Sequence, residues 1–150
     1  MLKPDVMRSC DYVPSRSRSL PVRRRLLITV VSAWQLPRLG GMEVIDTYVK
    51  LDVYGVPVDK KKFSSRVVRN NGFNPVFGTS FLVPLRVPEL AVLLFRVMDQ
   101  DLAKADDFIA FSVAPVNAIR EGFRSIELRN PADRTLLKGS SLLVRIEHIG

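Results

Sequence analysis

The chain has 150 residues, 47% of them hydrophobic, and a net charge of +8, enough for one domain with a real core and a tail. No apolar run approaches the ~20 residues that span a bilayer, and the N-terminus, charged from Lys3 onward, reads as no signal peptide. The single Cys10 excludes an internal disulfide and fits a reducing, cytosolic setting. In an unstructured polar stretch it is incidental rather than a nucleophile.

The charge is lopsided, because seven basic and two acidic side chains fall in residues 1–25. Residues 9–22 are rich in Ser, Arg and Pro without any period and read as a linker, with Arg23–Arg25 extending its basic character. From Leu26 the pattern changes to short β-rich segments punctuated by turn residues. Strands are predicted at 26–34, 47–54, 62–69, 76–83, 91–98, 108–114, 124–129 and 141–147. Val49, Leu51 and Val53 are expected to face the core, with Tyr48, Lys50 and Asp52 outward. Leu93, Phe95 and Val97 form a second inward set, and Leu142, Val144 and Ile146 a third. A helical turn is expected only near Asn117–Arg120. The prediction is therefore an all-β fold, an eight-stranded antiparallel β-sandwich.

Successive strands of such a sandwich run up and down, so the links after the first, third, fifth and seventh emerge at one end. The first link ends in Asp46. The third, NNGFNP, carries Asn70, Asn71 and Asn74. The fifth, DQDLAKADD, holds four aspartates. Asp99 and Asp101, two apart at a strand end, point to one side, and Asp107 returns from the far side of the loop. These hard oxygen donors outline a calcium site, since calcium takes six to eight oxygens in flexible geometry. Asp is also simply a favoured loop residue. One Cys and one His are too few soft ligands for a usual zinc site, and the spacing and glycine of an EF-hand are missing.

VIDTYVKLDVYG (44–55), SSRVVRNNGFNPVFGTSF (64–81) and LLFRVMDQDLAKADDFIAF (93–111), in this order and spacing, resemble the C2 domain of phosphoinositide-specific phospholipase C. LKPDVMR (2–8) is similar to the segment that ends the catalytic barrel of that family. The resemblance implies three parts: a barrel remnant at 1–8, a basic linker at 9–25 and a C2 domain at 26–150. It also implies a C-terminal piece of a larger enzyme. Carried over by position, the calcium ligands are Asp46, Asp99, Asp101 and Asp107, with Asn71 from the third link. Three positions depart from the family pattern: Gly40 stands where a further Asp is often found, Thr47 where Pro is usual, and Ala110 where Gly is usual. The missing carboxylate implies weak calcium binding, or binding completed by lipid phosphate.

The expected function is calcium-dependent docking on anionic phospholipid membranes, peripheral and cytoplasmic. The loop residues Leu36, Leu39, Met42 and Leu102 would approach the bilayer, and Lys50, Lys60, Lys61, Lys62 and Arg66 would hold acidic headgroups. The alternative is a calcium-independent module, either a scaffold packed against the catalytic barrel or one that holds acidic headgroups through these same basic residues. Isolated surface apolar residues and a solvated Lys turn are the bland readings of the same side chains. No catalysis is expected, because the barrel chemistry needs a histidine pair and only His148 is present, at the end of a strand. No nucleic-acid partner is expected either, since the basic runs lack the interleaved aromatics that stack on single strands. A monomer is expected.

Overall fold

The computed structural model describes residues 20–37 and 45–150. The segment expected to be a barrel remnant, Cys10, most of the expected linker, Leu39, Gly40 and Met42 lie outside the described residues. Eight strands follow in order: β1 (Arg24–Trp34), β2 (Thr47–Tyr54), β3 (Lys61–Ser64), β4 (Val76–Leu85), β5 (Val92–Asp99), β6 (Asp107–Pro115), β7 (Gly122–Arg129) and β8 (Leu136–His148). Short 3-10 turns occupy Pro57–Asp59, Pro88–Leu90 and Val116–Ala118, the last overlapping the predicted helical turn.

Every neighbouring pair is antiparallel, in the order β3-β2-β5-β6-β7-β8-β1-β4. Between β6 and β7 the ladder thins to one pair, Phe111 with Arg129. The sheet thus folds over at that seam into two four-stranded layers. At the opposite margin β3 and β4 face each other, and Phe63 meets Phe81 there at 5.1 Å between ring centroids. Arg66 laces this margin, its Nε donating to Phe77 O at 2.7 Å and a terminal nitrogen to Val76 O at 3.0 Å.

The core fills from the inward positions of alternating strands. Leu26, Ile28 and Val30 of β1, Val49, Leu51 and Val53 of β2, and Leu93, Phe95 and Val97 of β5 are all buried. Leu142, Val144 and Ile146 of β8 are buried with them, against Phe77, Phe81, Val83 and Leu85. In β4, Gly78 (φ +56°) sits where the pairing with β1 slips from Val30–Thr79 to Ser32–Val76, a bulge needing a left-handed residue.

The structure corrects four expectations. Tyr48 and Asp52, expected to face solvent, are buried. Neighbouring side chains roof them: Arg96 of β5 lies 2.6 Å from the Asp52 carboxylate, and the Tyr48 hydroxyl bonds Asp106 of the link before β6. β3 ends at Ser64 instead of continuing to 69, because the Ser65 hydroxyl takes the Val49 N–H at 2.9 Å and diverts the chain; only Val68 rejoins, bridging to Thr47. β8 begins five residues early, at Leu136. Gly139 (φ +81°) carries the strand past Gln35, whose Oε1 lies 2.5 Å from where a Cβ would stand. β1 likewise starts at Arg24, within the predicted linker. His148 closes β8 with an exposed ring, its backbone N–H donating to Glu121 at 2.7 Å.

At the end where β2 leaves, the buried Asp59 accepts from the Arg86 N–H with both oxygens (2.9 and 3.0 Å) and from the Val87 N–H (2.9 Å). It pins the turn after β2 to the turn after β4. Removing a buried acceptor orphans these donors. Asp59→Ala should lower stability by about 2–4 kcal/mol in urea unfolding. A loss no larger than that of an exposed Asp→Ala change would deny Asp59 this role.

Candidate functional site

The strand directions send the links after β1, β3, β5 and β7 to one end. Pairing then sets the carboxylates side by side. Thr47 is opposite Asp99, and Asp99 is opposite Asp107, so Asp46, Asp99 and Asp107 sit at the adjoining ends of β2, β5 and β6. The Asp46 N–H donates to Asp99 Oδ1 at 3.0 Å, and the Asp46 carbonyl accepts from the Gln100 N–H at 2.8 Å. Asp101 follows on the 100–106 link.

These groups share one electrostatic field. Burial holds the Asp99 carboxyl above its usual range, the bond from the Asp46 N–H opposes this, and the charges of Asp107, Asp46 and Asp101 raise it further. Two of the neighbours are partly balanced. Arg69 lies 3.6 Å from Asp46, which also accepts from the Asn70 N–H at 3.0 Å, and Asn70 holds the left-handed φ (+58°) that Asn tolerates. Asp101 Oδ1 accepts from the Ala103 and Lys104 N–H groups, and Lys104 Nζ is 3.9 Å from its other oxygen. Among the described residues no three acidic or histidine side chains are drawn together as a closed metal-holding group.

Asn71 is at this end, but its carboxamide serves its own loop. Oδ1 accepts from Phe73 N at 3.3 Å and Asn74 N at 3.0 Å, while its backbone carbonyl accepts from Thr47 Oγ1 at 3.3 Å. The donor set fits a hard divalent cation by its chemistry: four carboxylates, the most crowded of them raised.

Sequence reasoning missed the clamp that holds this loop. Asp106 Oδ1 accepts from the Asp101 N–H at 2.9 Å, and Oδ2 accepts from the Tyr48 hydroxyl. Burial, then the bond to Asp106 and its charge, push the Tyr48 hydroxyl up to about 12; the same bond, with that of the Asp101 N–H, lowers the Asp106 carboxyl. The only signal was a Tyr at an outward position of β2 and one aspartate too many in the loop.

Of the apolar loop residues, Leu102 is 86% exposed, whereas Leu36 is only 4% exposed and belongs to the core. A half-exposed Trp34, tilted against an equally exposed Phe73 with centroids 5.7 Å apart, stands at this end instead. The predicted basic residues do not form one patch. Lys50 of β2 and Lys62 of β3 share the outer face, where Lys50 also lies 5.9 Å from the Tyr48 ring. Lys60 and Lys61 lie toward the opposite end from the aspartates, and Arg66 is engaged with β4 carbonyls.

The C2 domain family model matches residues 24–130. Along 97% of its length the chain is 34% identical to human 1-phosphatidylinositol 4,5-bisphosphate phosphodiesterase delta-3, of which it covers 19%. Along 98% it is 34% identical to the phosphodiesterase gamma plc-3 of Caenorhabditis elegans, of which it covers 11%. The crystal structure of L. pealei PLC21 superposes over 99% of the chain and 19% of that protein, with a TM-score of 0.74 and 31% identity. The chain thus spans a fifth or less of these relatives.

The raised Asp99 carboxyl fixes the sign of a stability effect. A folded-state value above the ordinary 3.8 means that ionising Asp99 opposes folding, so its contribution falls as pH rises through that window. Without divalent cations, Asp99→Asn should raise the neutral-pH Tm by about 1–2 °C, and the gap should close on acidification through the same window. The neutral amide can still accept the Asp46 N–H. A lower Tm for the variant at neutral pH would show that the carboxylates do not repel one another appreciably.

Proposed function

This chain belongs to the C2 domain family, and from that premise we propose that it docks a phosphoinositide phospholipase C on anionic phospholipid membranes in response to calcium. The observation that carries the reading is the convergence of Asp46, Asp99, Asp101 and Asp107 at one end, with the Asp99 carboxyl raised among the others. These four carboxylates would hold calcium, and bound calcium would cancel the negative rim and attract lipid phosphate. Arg69 and Lys104 offset Asp46 and Asp101 in the cation-free rim and would be released toward headgroups when a cation takes their place. Leu102 and the Trp34–Phe73 pair are among the exposed apolar groups at this end, and indole and phenyl rings suit the headgroup layer. Lys50 and Lys62 add a Coulomb attraction that salt screens within about 8 Å at physiological ionic strength.

No helix among the described residues is long and apolar enough to cross a membrane, so the association proposed is peripheral, from the cytoplasmic side. The relatives are named for phosphodiesterase action on 1-phosphatidylinositol 4,5-bisphosphate; in this reading that chemistry belongs to a catalytic barrel elsewhere in the parent protein. The chain itself is a non-catalytic module.

One observation favours the second reading, a calcium-independent scaffold. Cations already face two of the four aspartates, while Tyr54, Val113 and Phe108 leave apolar surface exposed on the β2-β5-β6 layer. Such a face suits packing against the barrel of the parent.

Sedimentation with phosphatidylserine vesicles separates the two. Binding should rise with calcium and fall with salt. Replacing Asp99 and Asp101 together by Asn should abolish the calcium increment and spare the salt-sensitive baseline. Equal binding in chelator and in calcium would eliminate the docking switch in favour of the scaffold.

A further inference from the structure

Two adjacent serines at the end of β3 have opposite surroundings. Ser65 is 8% exposed, and its hydroxyl accepts the Val49 N–H at 2.9 Å while donating to the Arg66 carbonyl at 2.8 Å. Ser64 is exposed and stands directly opposite Lys50, so its side chain shares the outer face with that lysine. The third and second positions before Ser64 are Lys61 and Lys62, both exposed. β3 is an edge strand of four residues, extended, and paired with β2 alone. Basophilic protein kinases select a serine by basic side chains at those two upstream positions and read the segment in an extended form.

We propose that Ser64 is a phosphorylation site for a basophilic protein kinase, and that phosphate there turns off the cationic outer face of β2 and β3. In the transfer, Ser64 Oγ attacks the γ-phosphorus of ATP. An Oγ–P bond forms, the bond to the leaving ADP oxygen breaks, and the hydroxyl proton passes to the kinase's catalytic base. The product carries about −1.5 to −2 charges at neutral pH and three strong acceptor oxygens. Lys50 is the cross-strand partner, with Cβ atoms ~5 Å apart in such pairs. Lys62 is two residues back on the same face. Both ammonium groups are therefore within reach of the phosphate, as intramolecular counterions. Asp52, the cross-strand partner of Lys62, is already held by Arg96, so it does not compete for them. The effect on membranes rests on the basic component of the proposed docking; the modification itself does not.

The test uses the whole chain, the catalytic subunit of a cAMP-dependent protein kinase, and MgATP, with sites mapped by mass spectrometry. Vesicles are phosphatidylcholine with a quarter phosphatidylserine, in chelator, so that the aspartate rim is silent. Phosphate should appear on Ser64 and not on Ser65. Transfer to that position should be lost in Ser64→Ala and weakened when Lys61 and Lys62 are both changed to Ala. Vesicle affinity of the phosphorylated chain should fall about thirty-fold, the loss of two lysines' attraction, while kinase-treated Ser64→Ala should bind as the untreated chain does. Absence of phosphate at Ser64 overturns the proposal whatever the vesicles do. Phosphate there without weaker binding overturns the switch while leaving docking intact. An unmodified chain that ignores these vesicles overturns the switch together with the basic component of docking.

Discussion

The register of β2 on β5 governs both the core and the acidic end. Thr47 faces Asp99, and from there the pairs run inward through Val49–Val97, Leu51–Phe95 and Val53–Leu93, all six of these apolar residues buried. A slip of one residue would turn the whole apolar set of β2 to the outside. It would also part the Asp46 N–H from Asp99 Oδ1 and the Gln100 N–H from the Asp46 carbonyl. The hydrophobic pattern therefore sets the spacing of the carboxylates.

That end is held against its own repulsion. Asp99 is partly desolvated among like charges, an arrangement stability alone would not favour. The supports are hydrogen bonds and countercharges: the backbone N–H of Asp46, the Arg69 and Lys104 side chains, and the clamp from Tyr48 through Asp106 to the Asp101 N–H. Asp106 thus differs in role from Asp107 beside it. One braces the loop from beneath; the other stands at the strand end across from Asp99.

The period-two alternation made the strands and their inward residues legible, along with the end at which Asp46, Asp99, Asp101 and Asp107 emerge. It could not reveal what covers an outward face. Asp52 and Tyr48 are roofed by Arg96 and Asp106, more than 40 residues away in sequence, and nothing local to β2 announces either partner. Leu36 lies in a loop by composition yet joins the core, because its N–H is drawn to the Phe73 carbonyl. Asn71 carries a suitable ligand atom, but the tight NNGFNP turn needs that atom first for its own N–H groups. In each case a partner distant in sequence, or a local turn, outranked the residue's intrinsic tendency.

The contact of Trp34 with Phe73 gives the domain a built-in optical address. Trp34 is the chain's only tryptophan, and the buried core among the described residues is assembled from Phe, Leu, Ile, Val, Ala and Met with a single Tyr near its margin. Indole emission therefore originates at one location, half in water, next to the acidic loops. Its wavelength and its quenching by aqueous or lipid-borne agents report the surroundings of that end alone. The orientation of the domain on a surface can be followed without attaching a label.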